Sequence, residues 1–214
     1  MQVSHAIRER RSTRAFLPEP VDAEMIGQIL DLAKWSPSWA NTQDWNVFVV
    51  TGEPLARIKR AMMTAVESAA EPTPEIPFPP KEWPEYLAAR MNPRRPASEA
   101  QGRRPASAGS AAFYGAPCLI LLAIDPALSI PYACVDAGLF AQTLCLAAED
   151  RGLATCVTSM AVRFPAILHA EIPGSDDRLF VLGIALGLSD HLAVVNRGER
   201  NRVGTAEFVT FVGD

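Results

Sequence analysis

Hydrophobic and polar positions follow two different periods in the first third of the chain. Apolar side chains recur at helical spacing over residues 25–33, with Asp22 placed to cap the helix and Pro37 placed to end it. Residues 46–51 (NVFVVT) form a β-branched and aromatic run, which is typical of a strand. Pro54 then suits the first turn of a second amphipathic helix. The pattern therefore predicts a helix, a strand and a helix in this order.

The last hundred residues are more apolar, and their pattern predicts buried strands around a central helix. Residues 118–124 (CLILLAI) are apolar at every position, as expected for a strand covered on both faces. Residues 132–151 predict a helix that is apolar nearly all round, a pattern typical of a domain core. Because helices lie between the strands, we expect a layered α/β arrangement around a mixed sheet. The remaining predicted elements are strands at 154–159, 179–187 and 207–212 and a short helix at 164–169.

Residues 70–112 break this periodicity. Nine of the chain's 18 prolines lie here, and only residues 86–91 favour a short helix. A segment of this length within a domain is either a mobile surface insertion or a lid over a binding site. Phe78, Trp83 and Tyr86 favour the lid, and we interpret them as candidate substrate-binding residues. We expect one domain over residues 1–214, with this segment as its lid or insertion.

Composition and charge argue against several classes of protein. The net charge of −4 argues against a general affinity for nucleic acid or for an anionic membrane. The apolar runs are shorter than a bilayer span, and the amino terminus lacks the apolar core of a signal peptide. A transit peptide rich in Arg and Ser is an alternative, against which the acidic Glu9 counts. We therefore expect a cytoplasmic protein.

The four cysteines and three histidines do not suggest a metal site or a disulfide framework. Each cysteine lies inside an apolar run, and no two of them form a close pair such as C-x-x-C. The histidines are far apart in the sequence, with no ligand spacing between them. We therefore expect buried thiols in a reducing compartment and no bound metal.

A basic run near the amino terminus carries the strongest candidate chemistry. Arg10, Arg11, Ser12, Thr13 and Arg14 offer three guanidinium groups and two hydroxyls within five residues. Guanidinium groups bind phosphate oxygens through paired hydrogen bonds, and a neighbouring hydroxyl can complete the set. A solvated basic helix end would have the same composition, so the run alone leaves both interpretations open.

Two further segments could belong to the same site. Residues 37–45 (PSWANTQDW) combine hydrogen-bonding side chains with two tryptophans, which suits a planar heterocycle with polar edges or an ordinary helix-to-strand connection. Near the carboxyl terminus, Arg197, Arg200 and Arg202 form either a solvated charge run or the second half of an anion clamp. Two basic clusters at opposite ends of a chain with net charge −4 favour convergence on one phosphate.

Together these segments resemble the nitroreductase family of flavoproteins. The resemblance covers nearly the whole chain apart from the proline-rich segment. It implies a three-layer α+β fold, an interlocked homodimer and two FMN molecules at the interface between the subunits. The matching stretches are RRSTRAF, DAEMIGQILDLAKWSPSWANTQDW, NVFVVTG, FYGAPCLILLAID, DAGLFAQTLCLAAEDRGLATC, VLGIALG and NRGERNRVGTAEFV.

The resemblance also implies four groups of flavin-binding residues. The outer arginines of the first group would meet the phosphate and the pyrimidine edge of the flavin. The second group would reach the flavin of the partner subunit, and the backbone of the third would approach flavin N5, although its sequence departs from the usual one. The fourth would close on the phosphate. In this order the groups are Arg10, Arg11, Ser12 and Arg14; Pro37, Ser38, Trp39 and Asn41; Thr158, Ser159 and Met160; and Arg200 and Arg202.

The implied activity is that of an FMN-dependent oxidoreductase. It would take hydride from NAD(P)H and reduce nitroaromatic, quinone or similar electron-poor acceptors by a ping-pong mechanism. Flavin N5 would carry the chemistry, so no catalytic side chain is expected, while positive charge from Arg14 would favour flavin reduction. The alternatives are a dehalogenase or enone reductase of the same fold, or a flavin-storage protein with little turnover. Fast bleaching of the flavin by NADPH distinguishes an enzyme from a storage protein.

Overall fold

A computed structural model describes residues 1–77, 84–91 and 106–213, and four strands form the sheet at its centre. The order across the sheet is β1-β2-β4-β3, and all three neighbouring pairs are antiparallel. Every residue of β2 is buried, which accounts for its uninterrupted apolar pattern. The strands are β1 (Asn46–Thr51), β2 (Cys118–Ile124), β3 (Ala154–Thr158) and β4 (Leu179–Gly187).

Seven α-helices surround the sheet in the described part of the chain. They are α1 (Val3–Glu9), α2 (Ala23–Ala33), α3 (Gly52–Glu67), α4 (Glu85–Met91), α5 (Ala106–Ala111), α6 (Ile130–Asp150) and α7 (Pro165–Glu171). As the sequence suggests, Asp22 caps α2 by accepting a hydrogen bond from the backbone N–H of Glu24. Short 3₁₀ turns lie at Trp39–Asn41, Phe113–Gly115, Ser159–Val162, Val194–Asn196 and Thr205–Glu207.

The helices form layers on both faces of the sheet. Successive residues of a strand point to opposite faces, so Leu119 and Leu121 of β2 join one apolar cluster with α3 and α7. Ile120 and Leu122 join the other, with α2 and α6. The three-layer α+β fold expected from the sequence is thus confirmed.

The sheet differs from the expected mixed arrangement, because its four strands are antiparallel throughout. β2 and β3 do run in the same direction, joined by the long helix α6, but β4 lies between them. The seven residues of α7 rise only about 10 Å, too little to return along the sheet, so β4 begins where β3 ends. The alternation of helices and strands along the sequence therefore predicted the layers correctly. It predicted the strand directions incorrectly.

The strand expected at residues 207–212 is absent from the described chain. A 3₁₀ turn ends at Glu207, and the residues after it are exposed, with Phe211 at 92% and Val212 at 95% of full exposure. A strand needs a neighbouring strand edge to satisfy its backbone, and this segment pairs with none in the described part of the chain. The alternating pattern is typical of a strand, but the prediction is wrong for the described chain, where no strand edge pairs with these residues.

One helix in the described ranges, α6, is long and apolar enough to cross a membrane by length and composition alone. Its apolar side chains have another explanation, since Phe140 and Leu144 pack in the cluster shared with α2 and the sheet. The same helix carries the buried carboxylate of Asp136. These contacts are typical of the core helix of a folded domain.

Candidate functional site at the two ends of α6

The basic run leaves α1 and extends beside the edge strand β3. Ser12 forms a parallel bridge with Thr155, and the N–H of Thr13 donates to the Thr155 carbonyl at 2.9 Å. The Thr13 side chain is 1% exposed and points inward. In an extended segment alternate residues share a face, so Ser12 and Arg14 lie on the face opposite Thr13. The two-residue spacing of the R-x-S-x-R run therefore presents its polar side chains together.

Asn196 holds this segment to the carboxyl-terminal part of the chain. Its side chain is buried and accepts from the N–H of Arg14 at 2.8 Å while donating to the Ala15 carbonyl at 2.8 Å. A guanidinium nitrogen of Arg11 donates in turn to the Asn196 carbonyl. A buried amide satisfied on both of its atoms fixes the backbone tightly, so the position of Arg14 is set by Asn196.

Arg200 binds the end of α1. Its guanidinium donates to the carbonyls of Arg8, Glu9 and Arg10, the last at 2.5 Å. The final carbonyls of a helix lack partners within the helix and attract cations. Arg200 therefore lies beside Arg10, as expected for a convergent cluster, but its own hydrogen bonds are with the backbone. Arg202 is exposed, and its described hydrogen bond is to the Asn201 carbonyl at 2.8 Å.

A half-buried carboxylate, Glu149 on the last turn of α6, faces these arginines. Burial raises the pKa of Glu149, with a further rise from Glu9, whereas Arg10, Arg200 and Arg11 oppose the rise. The carboxylate thus lies where positive charge from both ends of the chain converges. We call Arg10, Arg11, Arg200 and Glu149 the arginine end of α6.

The turn Ser159–Val162 directly follows β3, the strand that Ser12 bridges at Thr155. The Oγ1 atom of Thr158 accepts from the N–H of Met160 at 3.2 Å, and both residues are buried while Ser159 is exposed. Gly183 of β4 makes this packing feasible, because a Cβ at that position would lie 2.4 Å from the Cβ of Ala161. The exposed Ser159 is therefore held above the sheet by a close contact that only glycine permits.

Tyr114 interacts with Arg14 and packs on the apolar cluster that contains Met160. Burial raises the pKa of Tyr114, while the charge of Arg14 and hydrogen bonds with Arg14 and Ser110 oppose the rise.

Cys156 lies close to Ser12 and Arg14, and its pKa is raised mainly by burial. All four cysteines are free thiols, and three of them are buried. Burial raises the pKa of Cys118 to about 12, so that thiol stays protonated.

The segment Pro37 to Asn41 lies at the other end of α6. Its backbone is unusual, since Ala40, Asn41 and Gln43 all have positive φ values of 49°, 58° and 53°. The Ser38 hydroxyl accepts from the N–H of Gln43 at 2.9 Å. Pro37, Trp39 and Asn41 are exposed, so the segment projects from the chain surface.

Trp39 contacts the first turns of α6 through its backbone and its ring. Its N–H donates to both carboxylate oxygens of Asp136, at 3.1 and 3.0 Å, and Asp136 is buried. Its ring stacks on Tyr132 with centroids 5.7 Å apart, although Trp39 stays 63% exposed. We call Trp39, Tyr132 and Asp136 the tryptophan end of α6.

The two ends of α6 lie well apart within one chain. Asp136 and Glu149 are 13 residues apart on one helix, which corresponds to about 20 Å. The structure thus brings Arg200 of the fourth predicted group beside Arg10 of the first. It places the third group at the end of β3, the strand that Ser12 bridges, and Pro37–Asn41 at the other end of α6.

The candidate substrate-binding residues are only partly described. Phe78 and Trp83 lie outside the described residues. Tyr86 on α4 is exposed, with the Arg90 guanidinium 5.6 Å from its ring centroid. Arg90 also pairs with Glu207 at 3.4 Å, which connects α4 to the carboxyl-terminal segment. In the described ranges no group of three or more His, Cys, Asp or Glu side chains is placed to hold a metal ion.

Comparison with known proteins identifies this architecture. The sequence model of the nitroreductase family matches residues 7–187. The chain belongs to the nitroreductase family. This membership agrees with the family resemblance of the basic run and of the α6 sequence.

Characterised nitroreductases resemble the chain over almost its full length. It is 35% identical to the chloronitrobenzene nitroreductase of Comamonas testosteroni, over 98% of this chain and 96% of that protein. It is 32% identical to a 4-nitrobenzoate reductase of Pseudomonas putida, over 97% of this chain and 94% of that protein. The crystal structure of the FMN-dependent nitroreductase NfnB from Mycobacterium smegmatis with NADPH has a TM-score of 0.89 and 30% identity, covering 98% and 97% of the two chains.

Sequence reasoning missed several residues that organise this nitroreductase site. Asn196, Glu149, Tyr114, Asp136 and Gly183 are absent from the predicted set. Asn196 opens the NRGERNR stretch, whose arginines formed the prediction there. An acidic residue within an apolar helix, as at Asp136, was the one sequence signal for this group. The others act through contacts between distant parts of the chain, which spacing alone does not reveal.

Proposed function

We propose that this nitroreductase-family chain is an FMN-dependent oxidoreductase that takes hydride from NAD(P)H and reduces nitroaromatic, quinone or similar electron-poor acceptors. The observation that carries the proposal is the basic face beside β3, where Arg10, Ser12 and Arg14 accompany a buried Thr13. Similarity to nitroaromatic reductases and to an FMN-dependent, NADPH-binding enzyme supports the cofactor and substrate class. NAD(P)H would reduce the flavin in one half-reaction and the acceptor would oxidise it in the next, which is a ping-pong mechanism.

The residues at the arginine end fit the phosphate and ring of FMN. Guanidinium groups and a hydroxyl on one face suit phosphate oxygens, so Arg10, Arg11 and Ser12 would hold the phosphate together with Arg200 and Arg202. Arg200 would act partly through the helix end that it fixes. Arg14 and the backbone of the turn Thr158, Ser159 and Met160 would face the ring.

Bound FMN would supply the hydride acceptor and donor, so the chain itself needs no catalytic acid or base. The protein would contribute by binding the flavin and the substrates, by orienting them, and by polarising the flavin. Arg14, fixed by Asn196 and Tyr114, would place positive charge where negative charge accumulates on reduction. Nicotinamide and acceptor would use the same open face in turn, and Tyr86, with Phe78 and Trp83, would contact the acceptor.

The active form is proposed to be a homodimer with FMN at the subunit interface. Pro37, Ser38, Trp39 and Asn41, which lie about 20 Å along α6 from the arginine end, would reach the flavin held by the partner subunit, as the family resemblance implies. An exposed apolar stripe supports this arrangement: Tyr132, Val135 and Leu139 of α6 are 57%, 58% and 40% exposed. Exposed apolar surface of this kind marks protein interfaces. The exposed residues 207–212 would complete the interlock as strands of the dimer.

The remaining expectations belong to the same proposal. Residues 1–214 would form one domain, with residues 70–112 as its lid or insertion, and the protein would work in the cytoplasm.

The test is anaerobic mixing of the FMN-loaded protein with NADPH, followed by a nitroaromatic acceptor. We expect FMN to bind, its visible absorbance to bleach rapidly on mixing, and the colour to return when nitrobenzoate is added. A protein that retains no FMN would contradict the proposal as a whole. Bound flavin that NADPH does not bleach would leave a storage protein, not an oxidoreductase.

A further inference from the structure

Asp136 of α6 is a buried carboxylate for which the proposed chemistry has no use. It is 5% exposed, and its helical neighbours Ala133, Ala137 and Phe140 are buried and apolar. Placing a carboxylate in such surroundings is unfavourable unless hydrogen bonds satisfy it. Its described hydrogen bonds both come from one donor, the backbone N–H of Trp39. No Lys, Arg or His pairs with Asp136 among the residues that the structure describes.

The segment that Asp136 binds has a backbone that needs support. Ala40, Asn41 and Gln43 lie in the left-handed region, which is unfavourable for residues other than glycine. The turn's other described hydrogen bonds are internal. The backbone N–H groups of Asn41 and Thr42 donate to the carbonyls of Ser38 and Trp39, and Gln43 donates to the Ser38 hydroxyl and the Asn41 carbonyl. In the described ranges, the hydrogen bonds that join residues 37–43 to another element therefore run to Asp136 alone.

We infer that Asp136 is a positioning residue for the flavin site of the partner subunit. It fixes Trp39 by its backbone, and thereby fixes the exposed segment Pro37–Asn41 at the angle needed to reach the neighbouring flavin. Asp136 does not touch the flavin itself. The inference rests on the proposed function, because it assumes an FMN site shared between two subunits.

Two substitutions of Asp136 separate the hydrogen bond from packing. Asp136→Leu puts an apolar side chain of similar reach in place of the carboxylate and removes the acceptor, and it should raise the Kd for FMN by about tenfold. Asp136→Asn keeps one acceptor oxygen and should lose less affinity than Asp136→Leu. Dimer mass and the Tm of the FMN-free protein should stay close to wild type in both. An unchanged FMN Kd in Asp136→Leu would overturn the inference, and the proposed function would still stand.

A second pair of variants tests the same hydrogen bond from the donor side. Trp39→Pro removes the N–H, and Ser38 before it already has the extended conformation that proline requires, with φ −138° and ψ 158°. Trp39→Ala removes the same ring but keeps the N–H. Weaker FMN binding by Trp39→Pro than by Trp39→Ala is expected, and equal binding would contradict the role of Asp136. This pair decides the matter even if Asp136→Leu fails to fold.

Mixed dimers test whether Asp136 acts across the interface. One subunit carries Arg10→Ala and the other Asp136→Leu, with two different affinity tags to purify the mixed species. If Asp136 serves the partner's site, both defects fall on one site and the other site is intact, so one FMN per dimer binds with wild-type affinity. If Asp136 serves only its own subunit, each site carries one defect and no site binds normally. The second result would overturn the inference, whereas a wild-type dimer that binds no FMN would overturn the proposed function.

Discussion

The two ends of helix α6 are built in opposite ways. At the arginine end, Arg200 caps α1, Arg11 binds the Asn196 carbonyl and Asn196 fixes Arg14, so residues from both ends of the chain lock together. At the tryptophan end, Trp39 is largely exposed and joined to α6 by one carboxylate and one ring contact.

This difference shows which part of the site a single chain completes. At the arginine end, hydrogen bonds within one chain already hold the polar groups in place. The tryptophan end has strained left-handed backbone, together with exposed aromatic rings and an adjoining apolar stripe that are unfavourable in water. We interpret the first as the binding half of the flavin site and the second as the half that is completed only against another subunit.

Breaking the apolar stripe should have the largest effect. Val135→Glu places a charge in the proposed interface, where an unpaired buried charge costs about 3–5 kcal/mol. Gel filtration with light scattering should show monomers, and FMN affinity should fall with dimerisation. Val3→Glu, at a position 71% exposed on α1, is the control and should remain dimeric. A dimeric Val135→Glu protein with normal FMN binding would show that this stripe is not the interface.

Removing single arginines should have the next largest effect. Arg10→Ala and Arg202→Ala should each weaken FMN binding by about 1.5–3 kcal/mol, the usual loss for a hydrogen bond to a charged group. Titration of flavin fluorescence measures the change. Arg60→Ala on α3, whose guanidinium pairs with the exposed Glu53, is the matched control. Unchanged affinity in both test variants would refute the phosphate assignment of the basic clusters.

Filling the space at Gly183 should disturb the Ser159–Val162 turn through packing. The added Cβ of Gly183→Ala would lie 2.4 Å from the Cβ of Ala161, so the Ser159–Val162 turn must shift. Overpacking of this kind costs about 1–3 kcal/mol of unfolding free energy, and FMN binding should weaken as well. In Gly27→Ala on α2, the added Cβ has no neighbour within 4 Å, and stability should rise by about 0.5–1 kcal/mol. Equal stability and FMN binding in Gly183→Ala and wild type would rule out this close contact.

The smallest expected effect concerns pH and Glu149. Because the folded state raises the pKa of Glu149, the unfolded chain loses that proton first as pH increases. The wild-type protein should therefore lose stability as pH rises from the ordinary pKa of a glutamate to the raised one, and Glu149→Gln should lack this loss. Tm measured from pH 4 to pH 7 reports the difference, with the exposed Glu19→Gln as control. Parallel Tm curves for wild type and Glu149→Gln would contradict this account.

Much of the fold could be predicted from local patterns. β1, β2 and β4 match their predicted bounds, because strands buried on both faces or rich in β-branched residues have clear limits. α6 begins at Ile130, two residues before its predicted start, since Pro131 fits the first turn of a helix. Strand direction and the fate of residues 207–212 could not be predicted, because both depend on which strand edges lie nearby.

In the candidate site, too, local sequence patterns could be interpreted and long-range contacts could not. The basic run stood out in the sequence by its composition, but only the structure shows it as an extended segment with Ser12 and Arg14 on one side. The roles of Asn196 and Asp136 could not be predicted, because their hydrogen-bond partners lie 182 and 97 residues away in the sequence. Such contacts arise only once the layers of the fold have assembled.

Sedimentation followed at the flavin absorbance tests most directly whether two subunits build each flavin site. The wild-type protein is loaded with FMN and diluted stepwise, and the mass of the coloured species is measured. We predict that all bound flavin sediments with about twice the 23.2 kDa mass of one chain, at two FMN per dimer, and is released as dimers dissociate. Flavin that stays bound to a 23.2 kDa monomer with undiminished affinity would contradict the account.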